Sequence, residues 1–249
     1  MKWYKCFWML CFLSALLTSC NFTEEIHLNE DGSGKLSINF DAQELMAMVG
    51  SLDSLRQEQP MDSTLVFKDL LEEKKDSIAL LPLEEQARLK NLEPFSMHMV
   101  VDPAAQVMRF ELFSEFQNIE KVNDAFNAFQ SASALGPKSD GAMGAASMTG
   151  GDPATEVNYT FSKNTFSRSI TIIDQELFKK NLDSMQGTEM FLGGSTYTFK
   201  YHFPRRVKKV NVEGATFSMD GKTMIYEVDF LEMMKSPETM ALEVELEDR

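Results

Sequence analysis

The chain has 249 residues, with 38 acidic against 24 basic side chains and a formal net charge of −14. It lacks the lysine and arginine surplus that a phosphate backbone demands, which excludes nucleic acid as a partner. All three cysteines, Cys6, Cys11 and Cys20, fall within the first 20 residues. The rest of the chain therefore has no disulfide, no thiolate metal cluster and no cysteine nucleophile.

Lys2 and Lys5 precede an apolar run from Cys6 to Leu17, and Leu17-Thr18-Ser19-Cys20 follows. A charged start, an apolar stretch too short for a comfortable membrane span and small residues before the cut make an export leader. The small-small-Cys ending resembles the lipobox of bacterial lipoproteins, in which the cysteine thiol is diacylated and becomes the new N-terminus. This resemblance implies a signal peptide over residues 1–19, lipidation at Cys20, and a body of 230 residues held to the membrane by acyl chains. Losing Lys2 and Lys5 takes the formal charge to −16. An acidic body repels anionic headgroups, so the expectation is a body standing off the bilayer. In Asn21-Phe22-Thr23-Glu24-Glu25, acids soon after the anchor resemble the surface-export signals of Bacteroidota lipoproteins. The same glutamates equally suit the start of a first strand. The location implied is the cell envelope, at the outer membrane, in a leaflet the sequence does not choose.

Beyond the leader, Glu25–Asn29 alternates with a two-residue period, Asp31-Gly32-Ser33-Gly34 supplies a turn, and Lys35–Asp41 alternates again with Leu36, Ile38 and Phe40 on one face. Asp41, with Glu44 three residues on, predicts a capped helix whose apolar face includes Leu45, Met48, Val49 and Leu52. Two helical stretches follow, Thr64–Leu80 and Pro82–Leu92, with Pro94 as a stop. A second hairpin has Phe95, Met97, Met99 and Val101 on one strand and Met108, Phe110 and Leu112 on the next. Ile119, Val122, Phe126 and Phe129 then have helical spacing. Residues 133–155, rich in Gly, Ala and Ser, predict a linker or loop. A third hairpin spans Val157–Phe161 and Phe166–Ile173, with a helix from about Asp174 to Met185. The chain closes with strands around Tyr197–Phe203, Met224–Phe230 and Leu242–Leu246.

The predicted class is α+β: an antiparallel sheet built from strand–strand–helix units, with helices packed on one side. The organisation read from it is an N-terminal α+β region over 20–132, the linker over 133–155 and a strand-rich C-terminal α+β region over 156–249. Hairpin-then-helix is common in α+β proteins, so the three units are not by themselves a duplication. The lipobox, the Asp31–Gly34 hairpin, the aromatic strand ending at Phe203-Pro204 and the Asp220-Gly221-Lys222 hairpin together resemble lipoproteins of Bacteroidota. There is a weaker likeness to the LppM-type lipoprotein domain. The resemblance implies no catalytic residues.

Four tripeptides begin Asp-Ser before an apolar residue or threonine, at Ser54, Ser63, Ser77 and Ser184. Each is similar to the site at which periplasmic proteins of that phylum are O-glycosylated, and each equally suits a helix or turn cap. Met97-His98-Met99 has donors suited to Cu(I), but alternation sets His98 on the face opposite the two methionines, so no metal site is expected there. His27, His98 and His202 are the only histidines, and no two share a ligand spacing. No Gly-x-Ser-x-Gly elbow occurs, no catalytic residue is assigned and no cofactor is implied. Lys200, Arg205, Arg206, Lys208 and Lys209 lie within ten residues that contain no acid, a basic island suited to an acidic partner or to a solvated strand end. The function expected is a membrane-anchored, non-enzymatic binding or assembly module with an envelope protein or glycan partner. The alternatives are an envelope enzyme or accessory acting on glycans, and a purely structural envelope protein.

Overall fold

The computed structural model describes residues 21–41, 60–122, 154–184 and 192–248. Cys20, Ser54, the helix expected after Asp41 and the expected linker as far as residue 153 lie outside the described residues.

The protein is a sheet-dominated α+β structure in which two sheets face one another. The first hairpin joins β1 (Asn21–Leu28) to β2 (Gly34–Asp41). Its turn is held by Asp31, whose carboxylate accepts from the Ser33 amide and hydroxyl, while Gly32 takes a φ of +82° that favours glycine. Next come β3 (Met61–Val66), α1 (Phe67–Glu73), α2 (Lys75–Ile78) and α3 (Leu83–Lys90). The hairpin of β4 (Ser96–Asp102) and β5 (Val107–Phe116) leads into a single 3-10 turn, Ile119–Lys121. The third hairpin, β6 (Thr155–Ser162) and β7 (Thr165–Ile172), is followed by α4 (Gln175–Ser184), where the Asp174 carboxylate accepts from the Leu177 amide at 2.8 Å. The remainder is β8 (Thr196–His202), β9 (Val207–Val210), β10 (Thr216–Phe217), β11 (Thr223–Asp229), α5 (Phe230–Lys235), a 3-10 turn (Pro237–Met240) and β12 (Leu242–Leu246).

The larger sheet has the order β10-β11-β8-β1-β2-β5-β4-β3 and the smaller β6-β7-β12-β9. The antiparallel sheet expected from sequence is thus divided in two. One pair, β1 with β8, is parallel, with His27 opposite His202. That pair joins residues from before and after the 133–155 stretch in one sheet. Residues Thr64–Val66, expected to open a helix, instead continue β3, because Met61–Val66 pairs residue by residue with the edge of β4. Helix α1 starts only at Phe67, which is fully buried. Ile119 begins one 3-10 turn and Val122 is already extended, while Phe126 and Phe129 of the expected helix lie outside the described residues. The run Met224–Phe230 breaks at Asp229, whose side chain caps α5 by accepting from the Glu232 amide at 2.8 Å.

The core lies between the inner faces. Phe22, Ile26 and Leu28 of β1, Leu36, Ile38 and Phe40 of β2, and Tyr197, Phe199 and Tyr201 of β8 meet Val157, Tyr159, Phe166, Leu242, Val244 and Leu246 of the smaller sheet. Phe22 stacks between Phe40 at 4.4 Å and Phe230 at 4.5 Å, and Phe166 sets its edge against Tyr201 at 5.3 Å and Phe203 at 5.5 Å. Such aromatic pairs add about 0.5–1.5 kcal/mol each beyond their buried area.

Candidate functional site

Three polar clusters stand out against this apolar frame, and strand parity explains the first and the third. Residues 22, 24, 26 and 28 of β1 face inward, which carries Glu24 into the core at 1% exposure. From the facing sheet, the same parity on β7 brings in Arg168 at 3% exposure, between Phe166 and Ile170. Arg168 donates through Nε to Glu24 Oε1 at 3.0 Å and through Nη2 to Oε2 at 3.1 Å, a two-pronged pair across the sheets. Tyr159 and Tyr201 donate to Oε1 at 2.9 and 2.5 Å, and Tyr197 donates to Oε2 at 2.8 Å. The guanidinium also lies 4.8 Å from the centre of the Phe199 ring. Burial alone would raise the Glu24 pKa, but the Arg168 charge and the phenol hydrogen bonds outweigh it and leave it below its ordinary value. Burial, followed by the Glu24 charge, pushes the Tyr197 and Tyr201 phenols well above theirs. The cluster is closed to solvent: one carboxylate, one guanidinium and three phenols.

The second cluster is a cleft of about 560 Å³ at the end of the molecule where β1 finishes. Its walls are the β1–β2 turn with Glu30 and Asp31, the segment after β5 with Asn118, and the β6–β7 turn with Phe161, Lys163 and Asn164. Arg205 organises it. Its Nη1 donates to Asn164 Oδ1 and to the Glu247 carbonyl, both at 2.7 Å, its Nη2 donates to the Lys163 carbonyl at 2.9 Å, and its Nε lies 3.1 Å from Glu30 Oε1. Asn164 also donates to Asp248. The Asp31 carboxyl is held below its ordinary pKa by the Ser33 hydroxyl and amide.

The third cluster lies on the outer face of the larger sheet. Residues 25 and 27 of β1 point away from the core, and the parallel register sets Glu25 opposite Lys200 and His27 opposite His202. The Glu25 Oε1 atom lies 2.7 Å from His202 Nε2, 3.0 Å from Lys200 Nζ and 3.2 Å from His27 Nε2. The two imidazoles stack with centroids 4.0 Å apart and planes 5° from parallel. His202 Nδ1 is 3.0 Å from Thr223 Oγ1. Burial, then the neighbouring His202, lowers the proton affinity of His27. The ligand atoms of Glu25, His27 and His202 all lie within 4.8 Å of one another. The separation of these histidines in sequence gave no sign of this; strand register makes them neighbours.

The residues singled out from sequence are dispersed. In the basic island, Lys200 belongs to the outer-face cluster, Arg205 to the cleft, and Lys208 on β9 pairs with Glu245 at 2.6 Å. Arg206 and Lys209 are exposed and form no ion pair among the described residues. Lys200 stands on the larger sheet, Lys208 and Lys209 on the smaller, and Arg205 and Arg206 on the connection between them. His98 turns outward to Asp62 at 2.8 Å while Met97 is buried, so Met97-His98-Met99 brings no donors together. Ser63 is half-buried in β3, Ser77 is exposed on α2, and Ser184 ends α4 with its hydroxyl donating to the Asn181 carbonyl. Glu24 and Glu25 are both strand residues. No described helix is long and apolar enough to cross a membrane. No protein-family model, curated protein or solved structure matches this chain.

Proposed function

We propose that this protein is a lipoprotein of the cell envelope, anchored to the outer membrane through lipid on Cys20, whose body is a non-enzymatic binding module that presents the cleft beside Arg205. The observation that carries this reading is the path of β1. It begins at Asn21, one residue after the anchor, and leads straight to the turn that walls the cleft. At about 3.3 Å per residue, that turn stands roughly 25–30 Å from the anchor. The height of the body then adds to charge repulsion in holding the binding surface away from the bilayer.

The cleft offers amide, carboxylate and guanidinium groups around the half-buried ring of Phe161, a lining suited to a polyhydroxylated ligand such as an envelope glycan. Its walls carry three carboxylates: Glu30 beside Arg205, Asp31 bonded to Ser33, and Glu120. One further observation favours a protein partner as the second reading. Phe217 and Met219, the latter fully exposed, project from the β10–β11 hairpin at this same end of the sheet.

Palmitate labelling of the full chain, combined with a glycan-array screen of the detergent-extracted protein, tests both halves. Label on the wild type and none on Cys20→Ala is expected, and an unlabelled wild type would remove the anchor. Glycan binding weakened by Phe161→Ala and by Lys163→Glu is expected; binding indifferent to both would remove the cleft.

A further inference from the structure

We propose that Glu25, His27 and His202 form a binding site for one borderline first-row divalent cation, Zn²⁺ foremost. The site depends on neither the anchor nor the cleft. Two imidazole nitrogens and one carboxylate oxygen are a donor set such ions favour, and three protein ligands leave a coordination position open for water. A tetrahedral ion bound at about 2.0–2.1 Å keeps its donor atoms roughly 3.3 Å apart. Glu25 Oε1 already lies 2.7 and 3.2 Å from the two Nε2 atoms, so these two pairs need to open by about 0.6 and 0.1 Å.

The supports are also in place. Register in a parallel ladder fixes His27 beside His202, and the backbones of β1 and β8 are central strands that do not yield. The Thr223 hydroxyl can accept a hydrogen bond from His202 Nδ1, so that once Nε2 gives up the proton it donates to Glu25, its lone pair is free for the ion. Two adjustments accompany binding. The rings must splay from their stack so that both lone pairs meet at one centre, and His27, with its side chain 56% exposed, is the one with room to turn. Lys200 must withdraw its ammonium from Glu25 Oε1; its side chain is 38% exposed and swings into solvent. Lys200 is thus a built-in competitor for the same oxygen, which sets the affinity below that of an uncontested site.

The test is calorimetric titration of Zn²⁺ into the chelator-stripped full chain in detergent, prepared without a polyhistidine tag. One ion per chain is expected. Affinity should fall by at least about tenfold in both His27→Ala and His202→Ala, stay unchanged in His98→Ala, and rise several-fold in Lys200→Met. Imidazole nitrogen NMR on the wild type gives a reading that needs no variant: Zn²⁺ should shift Nε2 of His27 and His202 and leave His98 unmoved. The proposal is overturned by the absence of binding up to millimolar Zn²⁺, by binding that survives both histidine variants, or by shifts at His98 alone.

Discussion

The guanidinium of Arg168 grips both carboxylate oxygens of Glu24, at 3.0 and 3.1 Å, across 144 residues of sequence and from the opposite sheet. This pair sits where two apolar faces meet, so its removal is felt by both. Taking two charges from water costs several kcal/mol each, and only the full set of partners around Glu24 offsets that cost.

Removing one partner leaves the other charge buried. Glu24→Gln and Arg168→Met should each destabilise the protein by about 3–5 kcal/mol in urea unfolding. The double variant should cost clearly less than the sum, with a coupling of more than about 1 kcal/mol. It should not recover wild-type stability, because a glutamine keeps one acceptor oxygen where the carboxylate offers two to Tyr159, Tyr197 and Tyr201. Additive single costs would show that the two charges do not support one another.

Acid should act through the same carboxylate. Glu24 has a folded pKa below its ordinary 4.5, so its contribution is fully present above that value and is lost as the pH falls through the lower folded one. Wild-type stability should therefore drop on acidification below about pH 4.5. Glu24→Gln should be less stable at pH 7 and should lose less over that acid range. Equal acid slopes in the two proteins would assign the acid sensitivity to other groups.

Gly34 opens β2 opposite Leu28 of β1. A β-carbon there would lie 2.0 Å from the His27 carbonyl oxygen and 2.8 Å from the Phe116 ring. The backbone oxygen cannot move without breaking the hairpin register, so Gly34→Ala should cost about 3 kcal/mol or more in thermal or urea unfolding. A near-neutral substitution would mean that the hairpin entry is looser than this spacing.

The basic island separates into residues that build the protein and residues that merely face water. Arg205 ties together the β6–β7 turn, the segment after β12 and Glu30. Arg205→Met should lower stability by about 2 kcal/mol, whereas Lys209→Ala should stay within about 0.5 kcal/mol. Equal effects would restore the island as a single surface feature.

Among the described candidate glycosylation sites, Ser77 has the most open setting, on a short exposed helix, while Ser63 is half-buried and paired within β3. Peptide mass spectrometry of protein from the native host should find any glycan on Ser77 before Ser63. A glycan confined to Ser63 would contradict this order.

The hairpins were legible because Leu36, Ile38 and Phe40, or Met108, Phe110 and Leu112, carry the two-residue period of a strand with one dry face. What the pattern could not supply was which hairpin faces which. The division into two sheets and the parallel β1–β8 pair depend on contacts between residues far apart in the chain. The inter-sheet cluster nevertheless left a signal. Glu24 in Phe22-Thr23-Glu24-Glu25-Ile26 and Arg168 in Phe166-Ser167-Arg168-Ser169-Ile170 each place a charge on the apolar parity of a strand, with opposite signs. Two such misfits need one another to be buried. The outer-face cluster left no comparable mark, because histidine and glutamate at exposed strand positions are unremarkable until a register sets them side by side.

The position of β1 also has a consequence for the order in which the protein assembles. One edge of β1 is covered at once by β2, but the other waits for β8, which begins only at Thr196. A chain that emerges N-terminus first therefore carries the open edge of a central strand until nearly four-fifths of its length is available. Such an edge is a template for pairing with other chains, and closing it late makes folding slow. The interval between the first hairpin and the arrival of β8 is when that edge is open to pairing with other chains.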